Sequence, residues 1–217
     1  MFKKILAQLA PTGTKLVAVS KTKPDGAILK LYEQGQRIFG ENRVQDLTDR
    51  QPRLPADIQW HFIGHLQTNK VKYIAPFIAC IHSVDSLKLL KEINKQAQRN
   101  ERSIDCLLQF HIAEEETKFG LDLAEAQALL NAPDFQKLKN VRVTGVMGMA
   151  TFTDDQAQVQ REFRTLKGIF DKLKSQFFDE ADSIFREISM GMSGDFETAI
   201  AFGATSVRVG SAIFGSR

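Results

Sequence analysis

Eight short apolar, largely β-branched runs recur along the chain with a helical pattern between successive runs, and this alternation constrains the fold more than any other feature. The runs are Leu16–Lys21, Arg37–Glu41, Gln59–Gly64, Phe77–His82, Ile104–His111, Val141–Met147, Ile184–Ser189 and Ser206–Val209. Parallel strands need a crossover between them, and eight strand–helix units are the count of a closed (β/α)8 TIM barrel of the α/β class. An open doubly wound sheet uses the same elements, so it is the count that favours the barrel.

The helical segments read as packing surface. From Asp154 to Phe178, Val159, Phe163, Leu166, Phe170, Leu173 and Phe177 recur at steps of four and three, the stripe of an amphipathic helix. Leu87, Leu90, Ile93 and Ala97 form a second stripe behind an Asp85 or Ser86 cap, and Leu123, Ala126 and Leu130 a third. No linker or low-complexity tract divides the chain, so residues 1–217 are read as one domain. The formal charge of +3 is small and its residues are interspersed, which argues against nucleic acid or membrane partners. Cys80 and Cys106 lie within apolar runs and form no CxxC pair, as expected of buried thiols in a reducing cytoplasm. Met1–Ala10 carries Lys3 and Lys4 before an apolar run too short for a signal peptide, and reads as a short amphipathic helix.

In a parallel α/β protein, chemistry gathers at the carboxyl ends of the strands. There stand Lys21 after the first run, Glu41 and Asn42 after the second, His65 after the third, and Ser193, Gly210 and Ser211 after the last two. Ser193, Gly194 and Asp195 sit where a strand gives way to a helix bearing Phe196, Ala199 and Ile200, and the exposed amides of a helix start attract anions. Gly210 and Ser211 repeat the arrangement, so two successive strands are expected to meet one anion, such as a phosphate. In the last strand Val207 and Val209 share one face, and Ser206, Arg208 and Gly210 the other. If the valines pack under the helices, Arg208 faces the interior, where its charge needs acceptors. A ligand and a buried carboxylate are both candidates. Val17, Val19 and Lys21 likewise share a face. Lys21 is expected flush with the end of a buried strand, desolvated beside Arg208 and Lys23, a setting that frees an amine for imine formation with an aldehyde. Lys23 has the same parity but lies further into the turn, held extended by Pro24, so Lys21 is preferred.

Five fragments then stand in order: LVAVSKTKP (Leu16–Pro24), FGENRVQ (Phe39–Gln45), WHFIGHLQTNK (Trp60–Lys70), SMGMSGD (Ser189–Asp195) and VRVGSAIFG (Val207–Gly215). Together they resemble the pyridoxal phosphate homeostasis proteins, barrel-only relatives of the alanine racemase N-terminal domain, over nearly the whole chain. The resemblance implies a (β/α)8 barrel in which Lys21 forms the internal aldimine with pyridoxal 5′-phosphate. It implies that Ser193 and the backbone around Gly210 and Ser211 hold the phosphate, that Arg208 approaches the pyridine nitrogen, and that Asn42 lies near the ring or its phenolic oxygen. The amino-terminal segment before Leu16 is shorter than is usual in the family.

Binding this cofactor differs from catalysing with it. Racemisation needs a proton donor or acceptor on each face of the substrate carbanion. In the racemases this barrel resembles, a tyrosine from a second domain of a partner subunit supplies the face opposite the lysine. Here the sequence stops at Arg217, soon after the last strand, so no second domain is expected, and Tyr32 and Tyr73 fall on outer helices. Asp25 stands where the racemase pattern has a phosphate-contacting tyrosine. The expectation is a cytoplasmic, monomeric pyridoxal phosphate carrier with no catalytic residues, acting in vitamin B6 and amino acid homeostasis. Apo forms of pyridoxal phosphate enzymes are its candidate partners. The alternatives are a pyridoxal phosphate-dependent amino acid racemase of low activity and a barrel enzyme acting on a sugar phosphate. A metal-dependent hydrolase is disfavoured: there is no HxH pair, and His61 and His65 span a strand and a turn without clustered acids. Lys118, in the loop after the fifth strand, reads as a solvated lysine within reach of the barrel mouth.

Overall fold

Strand parity decides this architecture, because each strand must send alternate side chains to the barrel interior and to the helices outside. The computed structural model describes residues 1–114, 119–178 and 184–215. Its strands are β1 (Lys15–Val19), β2 (Ile38–Glu41), β3 (Gln59–Phe62), β4 (Cys80–Val84), β5 (Ile104–Phe110), β6 (Val141–Gly148), β7 (Glu187–Ser189) and β8 (Ser206–Val209). They form a closed parallel barrel in chain order. β1 pairs with both β2 and β8, with Val17 opposite Arg208 and Ala18 opposite Val209. The expected TIM barrel is therefore the fold.

Around it run α1 (Phe2–Leu9), α2 (Asp25–Tyr32), α3 (Val44–Arg50), α4 (Val71–Ile74), α5 (Leu87–Arg99), α6 (Leu123–Asn131), α7 (Gln156–Phe177), α8 (Phe196–Ala201) and α9 (Ser211–Phe214). α7 carries the long stripe, and its Val159, Phe163, Leu166, Phe170 and Leu173 are buried in the main apolar cluster. That cluster also takes the outward residues of the strands, including Leu16, Ala18, Trp60, Phe62, Val207 and Val209. Each leucine, valine or phenylalanine among them stabilises the fold by about 1.5–3 kcal/mol on burial. α5 begins at Ser86, whose hydroxyl accepts from the Leu89 amide, and α6 at a capping box of Asp122 and Glu125. Among the described residues no helix is long and apolar enough to cross a membrane.

Two strands start three residues later than expected. The fourth begins at Cys80 rather than Phe77, because the Phe77 and Ile78 amides donate to the Ile74 carbonyl and prolong the turn after α4. The seventh begins at Glu187 rather than Ile184, because Phe185 leaves the sheet to stack between Phe170 and Phe178.

Candidate functional site at the carboxyl-terminal mouth

The ends of β7 and β8 meet through one hydroxyl. Ser193 Oγ accepts from the Gly210 amide at 3.2 Å and the Ala212 amide at 3.3 Å, joining the loop before α8 to the start of α9. Ser193, Gly210 and Ser211 thus lie together, as expected. Gly210 lies close against β1: a Cβ there would stand 3.1 Å from the Val19 carbonyl and 3.2 Å from the Val19 Cβ, a tight contact. Gly191 has φ 92 and lets α8 approach so closely that a Cβ would stand 2.6 Å from that of Ala199. Asp195 closes the loop by accepting from the Met192 amide at 2.5 Å.

Arg208 faces inward and is 4% exposed, as its parity requires. It donates to Ser189 Oγ at 2.6 Å and to the Gly148 carbonyl at 2.9 Å, both uncharged acceptors. Burial pushes its pKa down to about 10, with Asp195 opposing the shift. Ser189 also contacts His82 Nδ1 at 3.0 Å, and His82 Nε2 lies 2.8 Å from His61 Nδ1. An arginine can only donate, so Ser189 accepts from it, while the tautomer of His82 sets which atom donates in its contacts with Ser189 and His61. This line of hydrogen bonds runs down the barrel interior. Both imidazoles are held neutral: burial, then the charge of Lys15, takes His61 down to about 3, and burial, then His61 and Arg208, takes His82 well below its usual value.

Lys21 departs from expectation. β1 stops at Val19, Ser20 is the last buried residue, and Lys21 is exposed in a turn whose next residue, Thr22, has φ 66. The amine is therefore not desolvated by the strand end. The cause lies in how the turn is fastened. Ser20 Oγ donates to Glu41 at 2.6 Å, and the Lys23 amide donates to the Ser20 carbonyl at 3.0 Å. Arg50 donates to Glu41, to the Ser20 carbonyl at 3.1 Å and to the Lys23 carbonyl at 2.6 Å, and pairs with Asp25 at 3.3 Å. Glu41 is 0% exposed, and burial outweighs Ser20 and Arg50 to raise its pKa. Lys23 Nζ reaches the Gly215 carbonyl at 2.9 Å, tying the same turn to the end of α9.

Asn42 is half-buried one residue beyond β2, with its carbonyl pressed against Gly64. It lines a recess of about 570 Å³ together with Arg43, His65, Lys70 and Tyr73. Ser193 and Gly210 are not among its walls. His65 stacks on Phe119 with ring centroids 4.5 Å apart. Lys118 lies outside the described residues. The Arg50–Glu41 fastening and the roles of Ser189 and His82 were missed by sequence reasoning. The alternation of His82 with Cys80 placed them on the inner face, but nothing in the sequence pointed to Ser189 as their partner.

A profile of the family described as alanine racemase, N-terminal domain, matches residues 3–217. A pyridoxal phosphate homeostasis protein of Aquifex aeolicus is 39% identical over 94% of this chain and 87% of its own length. PipY of Synechococcus elongatus, in a structure with PLP bound, is 35% identical with a TM-score of 0.84, covering 96% of this chain and 99% of that one. An alanine racemase from Bartonella henselae shares the fold at 16% identity and a TM-score of 0.74, over 99% of this chain and 61% of its own.

Proposed function

Since the chain belongs to the family of pyridoxal phosphate homeostasis proteins, barrel relatives of the alanine racemase N-terminal domain, we propose that it binds pyridoxal 5′-phosphate at the carboxyl-terminal mouth and serves as a carrier of it. The observation that carries this reading is the meeting of Ser193 with the Gly210 and Ala212 amides, which brings the starts of α8 and α9 together at one point suited to a phosphate. The neighbouring groups fit the rest of the molecule. Arg208 offers a buried donor whose hydrogen-bond acceptors are uncharged, suited to an unprotonated pyridine nitrogen. When bound, the cofactor supplies an aldehyde that condenses reversibly with an amine.

In this reading Lys21 is that amine, Ser193, Gly210 and Ser211 hold the phosphate, and Asn42 orients the ring from β2. The turn bearing Lys21 is held from below by Arg50 and Glu41, so its exposed amine can close over the mouth without disturbing the strand. The whole barrel acts as one domain and one monomer, supplying the cofactor to apo enzymes in the cytoplasm. Catalysis is minor, because a racemase needs an acid or base on both faces of its substrate. Tyr32 donates to Asp57 outside the barrel, and Tyr73 is 49% exposed on α4.

Borohydride reduction of protein incubated with pyridoxal phosphate, followed by peptide mapping, tests the site. A label on Lys21, absent from Lys21→Ala, is expected; a label on Lys23 alone, or none, overturns it. Sustained racemisation of L-alanine that disappears in Lys21→Ala overturns the carrier reading.

A further inference from the structure

The opposite end of the barrel holds a second cluster that the cofactor site does not use. His61 on β3 lies beside Cys80 on β4 in the strand register, and His82 is two residues further along β4, so all three point inward. Barrel interiors are ordinarily filled by aliphatic side chains. Here the nitrogen and sulfur atoms of these three residues all lie within 4.8 Å of one another. They border a cavity of about 280 Å³ that opens among the first residues of the strands, between the Lys15–Glu187 and Arg142–Asp105 ion pairs. The other cysteine, Cys106, lies in the helix-packed cluster and among the described residues joins no such group.

We propose that His61, Cys80 and His82 form a metal site for zinc, entered from the amino-terminal end of the barrel. One thiolate and two imidazoles are the donor set that suits zinc, and three protein ligands leave a fourth position to water from the cavity. Zinc–nitrogen and zinc–sulfur bonds place tetrahedral ligand atoms about 3.3–3.8 Å apart. The 2.8 Å His61–His82 contact must therefore widen and the sulfur must swing inward, both within reach of side-chain rotation. Zinc replaces the Cys80 thiol proton, which leaves to solvent, and His82, bound through Nε2, carries its one ring proton on Nδ1. There it is donated to Ser189, which Arg208 already anchors, so the outer support that orients a metal-bound histidine is in place. At the entrance the two ion pairs are joined by the exposed Arg186, so the carboxylates there do not compete as a chelating set and a dication enters past one additional positive charge.

Cobalt(II) serves as the spectroscopic probe and zinc as the calorimetric one, with the full chain free of any affinity tag. One equivalent of cobalt should give an intense near-ultraviolet thiolate charge-transfer band, which zinc abolishes. The band should survive in Cys106→Ala and vanish in Cys80→Ala. Ser189→Ala should retain it with zinc affinity about 10–100-fold weaker. A titration without the band, a band that persists in Cys80→Ala, or zinc affinity unchanged in His61→Gln overturns the site. Should His61→Gln fail to fold, the two cysteine variants alone decide the matter.

Discussion

Arg50→Met isolates the fastening beneath the Lys21 turn. The substitution keeps much of the aliphatic stem but removes the donors to Glu41, Ser20 and Lys23 and the pairing with Asp25. Asp25 retains Arg53 at 2.8 Å, so the main casualty is the Glu41 carboxylate, left 0% exposed without its cation. Removing one partner of a buried pair costs about 3–5 kcal/mol. Glu41 has an escape, since burial already raises its pKa from 4.5 and loss of Arg50 raises it further. If the folded variant keeps the carboxyl protonated at pH 7, the cost is that of protonating a group that ionises near 4.5 when unfolded, about 1.4 kcal/mol per pH unit. That is about 3 kcal/mol at pH 7 and about 1.4 at pH 5.5, from which the smaller cost of the already raised wild-type carboxyl is subtracted. A raised carboxylate pKa means the folded state binds more protons than the unfolded one, so the deficit shrinks on acidification. Urea unfolding of wild type and variant at both pH values measures it. A deficit below about 1 kcal/mol at pH 7, or one equal at both pH values, refutes the reasoning. So does a deficit unchanged in the Glu41→Gln background.

Glu162 behaves in the opposite sense. Burial raises it, but bonds from the Thr151 hydroxyl and amide, Gln158 and the Glu114 amide prevail and lower its pKa, so its contribution is present above about 4.5 and is lost as pH falls through the folded value. Glu162→Gln should cost about 1–3 kcal/mol at pH 7 by urea unfolding and less in acid. Ser193→Ala leaves the Gly210 and Ala212 amides without their acceptor. It should lower stability by about 1 kcal/mol and weaken pyridoxal phosphate binding about tenfold in a spectrophotometric titration, equivalent to one lost hydrogen bond. Gly210→Ala forces a Cβ within 3.1 Å of the Val19 carbonyl; about 1–3 kcal/mol of strain is expected in thermal unfolding, and a fully stable variant contradicts the tight approach.

The sequence carried the barrel, the inward face of Arg208 and the meeting of Ser193 with Gly210, because each follows from strand parity or from small residues at a strand end. Boundaries were less visible. Phe77 and Ile78 belong to an apolar run continuous with β4, and only their backbone bonds to Ile74 separate them from the strand. Phe185 is as apolar as a strand residue but is claimed by Phe170 and Phe178. Lys21 was displaced from the buried strand end by a turn whose fastening, Arg50, is remote in sequence and carries no motif. The His61–Cys80–His82 cluster escaped for a similar reason: its members lie on neighbouring strands, and only the register of β3 against β4 brings them together.

The seam between β1 and β8 has a temporal meaning. Val19 near one end of the chain lies against Gly210 near the other, so the cradle has no existence until the last strand docks on the first. A chain emerging from the ribosome can fold several strand–helix units and still lack the floor of this site. Such long-range pairing is slow to form. Capture of a phosphate-bearing ligand at the mouth would therefore report that the circle has closed, serving as a clock for the final act of folding.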